Sequence, residues 1–266
     1  MKKVVFACFC LVAIGLLSGC SKGARKELIV AGSTSIQPFA DRWAEIYMKK
    51  YPDRVVNVQG GGSSAGIQAS FSGAADIGTC SRELKPEEKG LTEIVVARDG
   101  LAVIVHPTNP VTGLSLEQIR DIFSGKIQSW KEISNRDKTI DVVTREEGSG
   151  TRGAFQEMVM GKVRVFKGAI VEDSNGTVRE IVAGDPDSIG YISLGLVDER
   201  VKALSLDGVA ATEANILINQ YELVRPFLFV TCGPPSREAK NFIDFVLSEE
   251  GQNLIKMEGL IPVQSR

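Results

Sequence analysis

The chain has 266 residues, of which 43% are hydrophobic, and its 31 basic and 33 acidic residues give a net charge of -2. This size and hydrophobic content fit one large domain or two modest ones, and the balanced charge excludes a global basic field that would recruit nucleic acid. The chain has one histidine and, beyond its leader, no cysteine pair at ligand spacing. We therefore expect neither a metal site nor a cofactor.

The N-terminus has the features of an export signal. Two lysines precede an apolar run over residues 4–17, which ends in Leu17-Ser18-Gly19-Cys20. The run is too short for a confident membrane span but is typical of a secretory signal, here residues 1–19. The ending resembles a bacterial lipobox, which implies lipidation of Cys20 and a flexible tether over residues 20–26. The alternative is a plain secretory signal with a chance cysteine.

A strand, a loop rich in glycine and hydroxyl groups, and a helix follow one another repeatedly in the remaining chain. Apolar β-type runs predict strands at residues 28–31, 55–59, 76–80 and 141–144, and amphipathic stretches follow most of them. Such units predict an α/β fold with mainly parallel sheets, whose ligands gather at the carboxyl ends of the strands. The loops at these ends comprise residues 32–35, 60–66, 81–82 and 145–151.

The turn over residues 145–151 is the clearest candidate for a binding element. Arg145 supplies a forked cation, while Ser149 and Thr151 supply hydroxyl donors. Gly148 and Gly150 allow close approach to the free amides and the positive dipole end of the helix that follows. An ordinary serine-capped helix after a glycine-rich turn is the alternative for this segment alone.

Together the loops favour a small, desolvated tetrahedral oxyanion as the ligand. They offer many neutral donors and two arginines, without a lysine cluster or a Gly-x-x-x-x-Gly-Lys-Ser/Thr nucleotide loop. Hydrogen bonds to a charged group contribute roughly 1.5 to 3 kcal/mol each, so about eight to ten of them exceed the cost of removing the ion's water.

With these loops and the segment 116–130, which ends in a tryptophan turn, the sequence resembles the phosphate-binding proteins of ABC importers over nearly all of the mature chain. The resemblance implies a type II periplasmic-binding-protein fold, in which two α/β lobes joined by a two-strand hinge close on phosphate. It also implies a monomer that is not an enzyme, lies outside the cytoplasm on its lipid anchor, and delivers inorganic phosphate to membrane permease subunits.

The resemblance also implies the site residues. Gly32, Arg82 and Glu147 would lie around the ion rather than against it, with Gly32 and Ser33 shaping the first loop. Arg82 would act as a second cation or, alternatively, pair with Glu83 or Glu87 at the surface. The residues expected to contact phosphate are Ser33, Thr34, Ser35, Ser63, Ser81, Arg145, Ser149, Gly150 and Thr151.

Ser81 is a departure that concerns selectivity. Some family members have an aspartate at this position, which accepts the proton of hydrogen phosphate and repels sulfate. Serine can accept as well as donate, so phosphate still fits. Rejection of sulfate would then need an acceptor from Glu146, Glu147 or a backbone carbonyl.

The lobes are predicted from the crossing strands. A strand over residues 100–105 leaves the first lobe and the segment 221–230 returns, which gives a first lobe of residues 27–103 plus 226–266 and a second of residues 104–225. In the second lobe, Asn175 is expected to cap a helix over residues 178–183, with a further donor turn as the alternative.

Two rival functions remain at this point. Residues 62–66 match the Gly-x-Ser-x-Gly nucleophile elbow with Ser64 as the serine, but His106 is the single histidine available to activate it. A protein that binds sulfate, molybdate or tungstate is the other rival. The pairing of Cys80 with Cys232 is also open, because an exported protein can join them and each also suits a small core position.

Overall fold

The structure is a computed structural model that describes residues 27–263. The predicted signal peptide, Cys20 and the tether lie outside these residues. Between residues 27 and 263, each helix is too short or too polar to cross a membrane.

The helices, several of them capped by a serine or threonine hydroxyl, alternate with strands along the chain. The helices are α1 (Gln37–Lys50), α2 (Ser63–Ser72), α3 (Leu116–Ser124), α4 (Gly150–Phe155), α5 (Asn175–Gly184), α6 (Glu213–Leu217), α7 (Arg237–Val246) and α8 (Glu249–Lys256). The strands are β1 (Glu27–Gly32), β2 (Val55–Gln59), β3 (Ile77–Cys80), β4 (Thr92–Val105), β5 (Gly113–Leu114), β6 (Asp141–Arg145), β7 (Ile170–Glu172), β8 (Ser188–Ser193), β9 (Lys202–Ala203), β10 (Ser205–Leu206), β11 (Val224–Thr231) and β12 (Ile261–Pro262).

The main sheet has the order β2-β1-β3-β11-β4-β8-β6-β7. Its two flanks are parallel, since β1 pairs with β2 and β3 in one flank and β6 pairs with β7 and β8 in the other. The central pairings are antiparallel. The predicted α/β class is thus confirmed, but the sheet is parallel only where helices connect successive strands.

Strand β4 is shared by the two flanks. Its residues 92–100 pair with β11, and its residues 101–105 pair with β8. The strand is longer than the predicted one, which began at Gly100. Because β11 returns alongside β4, two antiparallel strands connect the flanks.

The first hydrophobic core packs α1, α7 and α8 against the flank that contains β1. The apolar spacing of α1 places Phe39, Trp43 and Tyr47 on its buried face, as periodicity predicts. The ring of Trp43 meets that of Phe229 edge-on at 5.9 Å between centroids. Residues 28–97 and 227–260 supply this core.

A second core packs α3 and the helical segment after α4 against the other flank. The rings of Phe155 and Tyr191 stack at 3.9 Å, and that of Phe123 lies 4.7 Å from Phe155. Leu101 and Leu223, at the crossing strands, already belong to this second core. The two cores therefore meet at β4 and β11, and the loops at the carboxyl ends of the parallel strands face each other across a closed cleft that Ser35 and Thr151 bridge.

Candidate anion-binding site

Three loops of the first flank bring buried hydroxyl groups together. The Ser33 hydroxyl lies 2.8 Å from the Ser81 hydroxyl, and the Ser63 hydroxyl lies 3.4 Å from it. The Ser81 amide also donates to Ser63 Oγ at 3.1 Å. These residues are separated by up to 48 positions in the chain. Because their loops follow neighbouring strands, the sheet brings together hydroxyl groups that lie in separate turns of the sequence.

Arg145 is the last residue of β6, and only 1% of its surface is exposed. Its Nε and Nη2 atoms donate to both carboxylate oxygens of Glu146, and Nη2 also donates to Thr34 Oγ1 at 3.1 Å. The carbonyls of Glu172 and Asp173 accept further bonds. The remaining atom, Nη1, is buried without a hydrogen-bond partner in the part of the chain that the structure describes. A buried charged donor of this kind calls for an acceptor, which an anion would provide.

The N-terminus of α4 closes the site from the second flank. Ser149 caps the helix by accepting from the Arg152 amide at 3.1 Å, so its own proton remains available. Gly150 follows directly, and a Cβ at this position would lie 2.1 Å from Ser63 Oγ and 2.5 Å from Ser81 Oγ. The glycine therefore lets the helix start reach the hydroxyl cluster, as close approach to an anion requires.

Contacts across the cleft hold the two flanks together at this point. Ser35 and Thr151 share a hydrogen bond of 2.7 Å between their hydroxyls, and the Ser64 amide donates to the Gly148 carbonyl at 3.1 Å. The structure brings together Ser33, Thr34, Ser35, Ser63, Ser81, Arg145, Ser149, Gly150 and Thr151 in this connected cluster.

Sequence reasoning missed a second arginine at the site. Arg225 of β11 donates to Ser35 Oγ at 3.2 Å and to the Ser81 carbonyl at 3.2 Å, and forms a buried ion pair of 2.9 Å with Asp99 of β4. Burial raises the pKa of the Asp99 carboxyl, although Arg225 and the Ser193 hydroxyl oppose the rise. The available signal was a lone arginine within an otherwise apolar strand.

Asn175 also differs from expectation. The cap of α5 is Ser174, whose hydroxyl accepts from the Thr177 amide at 3.1 Å. Asn175 is the first helical residue, and its side chain donates to Ser35 Oγ at 2.9 Å and accepts from the Ser193 amide at 3.2 Å. The interpretation of Asn175 as a cap was therefore wrong, and it bridges the cleft instead.

Three residues were expected to lie around the ion without contacting it, namely Gly32, Arg82 and Glu147. Arg82 is buried and pairs with Glu88 through bonds of 2.7 and 2.9 Å, rather than with Glu83 or Glu87 carboxylates. Glu147 is exposed. Gly32 packs so tightly that a Cβ would lie 2.4 Å from the Thr79 carbonyl oxygen.

The geometry gives little support to serine-hydrolase chemistry, to a metal site or to a disulfide between Cys80 and Cys232. The Nδ1 atom of His106 is bonded to Thr108 within its own turn. Between residues 27 and 263, no group of three His, Cys, Asp or Glu side chains could hold a metal ion. Cys80 is buried, Cys232 is exposed, and both are free thiols.

The fold and the buried cleft define a binding protein of the periplasmic type, and the family described as the PBP superfamily domain matches residues 21–250. The chain is 35% identical to the phosphate-binding protein PstS of Bacillus subtilis over 255 residues, which are 92% of this chain and 85% of that protein. It therefore belongs to the phosphate-binding protein family of this superfamily.

Solved structures agree with this assignment. A putative phosphate ABC transporter substrate-binding protein from Clostridium perfringens, crystallised with bound phosphate, is 44% identical with a TM-score of 0.87, covering 90% of this chain and 100% of that one. An ABC-type phosphate transport receptor from Vibrio cholerae is 38% identical with a TM-score of 0.75, covering 89% and 100%.

Proposed function

We propose that this protein captures inorganic phosphate outside the cytoplasm and delivers it to the membrane subunits of an ABC importer. The observation that carries this proposal is the buried, unpartnered Nη1 atom of Arg145, whose guanidinium also contacts the hydroxyl of Thr34 in the first loop. The phosphate bound to the relative from Clostridium perfringens supports the same ligand. The chain's place among substrate-binding proteins supports capture without a chemical step.

The cluster around Arg145 is the proposed contact set. Its donors come from both flanks and include hydroxyls, one guanidinium and the amides at the start of α4. The proposed phosphate-contacting residues are those expected from the sequence: Ser33, Thr34, Ser35, Ser63, Ser81, Arg145, Ser149, Gly150 and Thr151.

Closure of two lobes is the proposed mechanism. The first lobe is residues 27–103 plus 226–266, the second is residues 104–225, and the crossing strands act as the hinge. An ion that bridges donors on both lobes binds the closed state more tightly and shifts the population toward it. The hydrogen bond between Ser35 and Thr151 supports this view, because it joins residues of the two proposed lobes across the cleft. Importer subunits would then recognise the closed form.

The export signal completes the proposal. Cleavage after residue 19 would leave Cys20 as a lipidated N-terminus, and residues 20–26 would tether a monomer to the outer face of the cell membrane. The two N-terminal lysines, the apolar run and the Leu-Ser-Gly-Cys ending support this part of the proposal.

Isothermal titration of the purified protein with phosphate tests the function. We expect Arg145→Ala to weaken binding at least tenfold, since the anion loses its charged donor. Arg200→Ala is the matched control, because Arg200 is exposed and pairs with Asp198 and Glu180 instead. Unchanged phosphate affinity in Arg145→Ala would contradict the proposed site.

A further inference from the structure

A groove in the second flank is lined by four cations that have no carboxylate partner. Arg152, Lys162, Arg164 and Lys167 lie along this groove, whose volume is about 670 Å³. Among the described residues, none of the four forms an ion pair. Other basic residues of the same flank do form ion pairs, namely Lys126, Lys131, Arg136, Arg179 and Arg200. Because the whole chain has a net charge of -2, the groove is a local basic surface on a slightly acidic protein.

Arg152 is the most enclosed of the four cations. Its Nη1 atom donates to the Arg145 carbonyl at 2.6 Å and to Thr144 Oγ1 at 3.3 Å. These bonds fix the guanidinium against the end of β6. Its Nε and Nη2 atoms have no acceptor between residues 27 and 263, and together they form the forked edge that fits a carboxylate.

Two carboxylates limit what the groove can bind. Glu146 and Glu147 also line it, and Glu146 is already paired with Arg145. With five basic and two acidic side chains in its lining, the groove has a net charge of +3. A single exposed ion pair contributes little to binding, so a ligand needs several negative charges to be held here.

The groove also has an apolar part. Val165, Phe166, Ala169 and Val171 line it, and Val171 is 58% exposed in β7. In the main sheet β7 is the last strand, so no further strand covers this side. A small inorganic anion gains nothing from these side chains, because apolar surface is stabilised by contact with other apolar groups. An acidic peptide with an apolar side chain would use both parts of the groove.

The groove adjoins the proposed anion site at Arg145. The Arg145 guanidinium bonds Thr34 of the first lobe at 3.1 Å, while the Arg145 carbonyl accepts from Arg152 in the groove. In the same turn, the Gly148 carbonyl accepts from the Ser64 amide of the first lobe at 3.1 Å. A partner in the groove would therefore touch the turn that connects the two lobes across the anion site.

We propose that this groove is a docking surface for an acidic peptide segment that carries an apolar side chain, and that the segment belongs to the importer's membrane subunits. This inference rests on the proposed function and gives the chemistry of the partner. Carboxylates of the segment pair with the four cations, and Arg152 holds one of them through its forked edge. The apolar side chain of the segment packs against Val171.

Fluorescence polarisation with a labelled peptide tests the chemistry. The probe is a synthetic peptide in which glutamate and leucine alternate. At low ionic strength we expect a Kd below about 1 mM. The double variant Arg164→Gln/Lys167→Gln should bind the peptide at least tenfold more weakly, because two of the four cations are lost. Lys126→Gln/Lys131→Gln is the control with the same change of charge on the same lobe, and it should remain within twofold of wild type.

Two further probes separate peptide docking from a general site for polyanions. A peptide of the same charge with serine in place of leucine should bind at least fivefold more weakly than the leucine peptide. Equal affinities for the two peptides would overturn the proposal, and so would tighter binding of inorganic tripolyphosphate than of the leucine peptide.

Phosphate uptake by cells tests the identity of the partner. In cells that carry Arg164→Gln/Lys167→Gln as their sole phosphate-binding protein, we expect uptake to fall at least fivefold, while the purified variant keeps its phosphate affinity and melting temperature. Unchanged uptake would overturn the docking role and leave phosphate capture intact. A wild-type protein that does not bind phosphate would instead overturn the proposed function.

Discussion

Gly150 lies where a side chain would enter the hydroxyl cluster. A Cβ there would come within 2.1 Å of Ser63 Oγ, so we expect Gly150→Ala to lower phosphate affinity at least a hundredfold and to lower stability as well, since the clash with buried side chains outweighs the helix preference of alanine. Titration calorimetry and thermal unfolding measure the two effects. Gly148→Ala is the control in the same turn, because its Cβ would meet nothing closer than 4.0 Å. Binding within twofold of wild type in Gly150→Ala would contradict the placement.

Glu88 links stability to pH through its ion pair with Arg82. Burial opposes ionisation of Glu88, but hydrogen bonds from Arg82 and the Lys85 amide outweigh it and lower the pKa of Glu88 below its ordinary 4.5. A lowered pKa means that the ionised carboxylate stabilises the fold above pH 4.5, and that this contribution is lost as pH falls through the folded-state pKa.

We therefore expect Glu88→Gln to lower the free energy of unfolding by about 3 kcal/mol at pH 7, because it leaves a buried cation unpaired. The difference from wild type should be smaller at pH 3 than at pH 7, because protonation of Glu88 removes part of the ion pair's contribution. Urea unfolding at both pH values measures it. The exposed Glu83 provides the control variant Glu83→Gln, and an equal loss at both pH values would argue against the ion pair as the cause.

Among the individual site residues, the sequence predicted Arg145 and the serine and threonine hydroxyls because they lie in local turns rich in glycine and hydroxyl groups. It did not predict Asp99 or Arg225, and it gave a donor role for Asn175 only as the alternative to a helix cap. Their contacts join residues that are 126 and 140 positions apart. The one local signal, a lone arginine within an apolar strand, does not indicate which distant residue the arginine pairs with.

Among the elements, α3 and α4 begin in the same way but differ in surroundings. Ser115 and Ser149 each cap their helix by accepting from an amide three residues on, at 3.1 Å. We expect Ser115→Ala and Ser149→Ala each to cost about 1 kcal/mol of stability. Only Ser149→Ala should also weaken phosphate binding, by at least fivefold. Equal phosphate affinities in the two variants would show that Ser149 is a cap and nothing more.

Helices and short buried strands were predicted well because their periodicity and caps are local. Strand β4 was predicted only from Gly100, since residues 92–95 are largely exposed and follow a charged loop. The antiparallel centre of the sheet was not predicted either. It depends on the return of β11 beside β4 after more than a hundred residues, which propensity does not encode.

In the whole molecule, the two tryptophans report separately on the two cores. Trp43 is buried in the first core and Trp130 in the second, and the chain has two tryptophans in total. Trp43→Phe and Trp130→Phe therefore give proteins whose fluorescence follows one core each.

We expect saturating phosphate to make the two unfolding transitions coincide, because a ligand that bridges the lobes couples them. A concentration one hundred times the Kd should raise stability by about 2.7 kcal/mol. Arg145→Ala in each background is the control and should reduce the stabilisation to about 1.4 kcal/mol or less at the same phosphate concentration, since its binding is at least tenfold weaker. Stabilisation of one core alone would contradict capture between the lobes.

The two thiols differ in a way that has a practical use. Burial raises the pKa of the Cys80 thiol, which slows its reaction with maleimides, whereas Cys232 is exposed at the end of β11. A protein expressed from residue 27 onward contains these two cysteines alone. A dye would attach to Cys232 without mutagenesis, directly after the strand that carries Arg225, and a change in its emission on addition of phosphate would then report ligand capture optically.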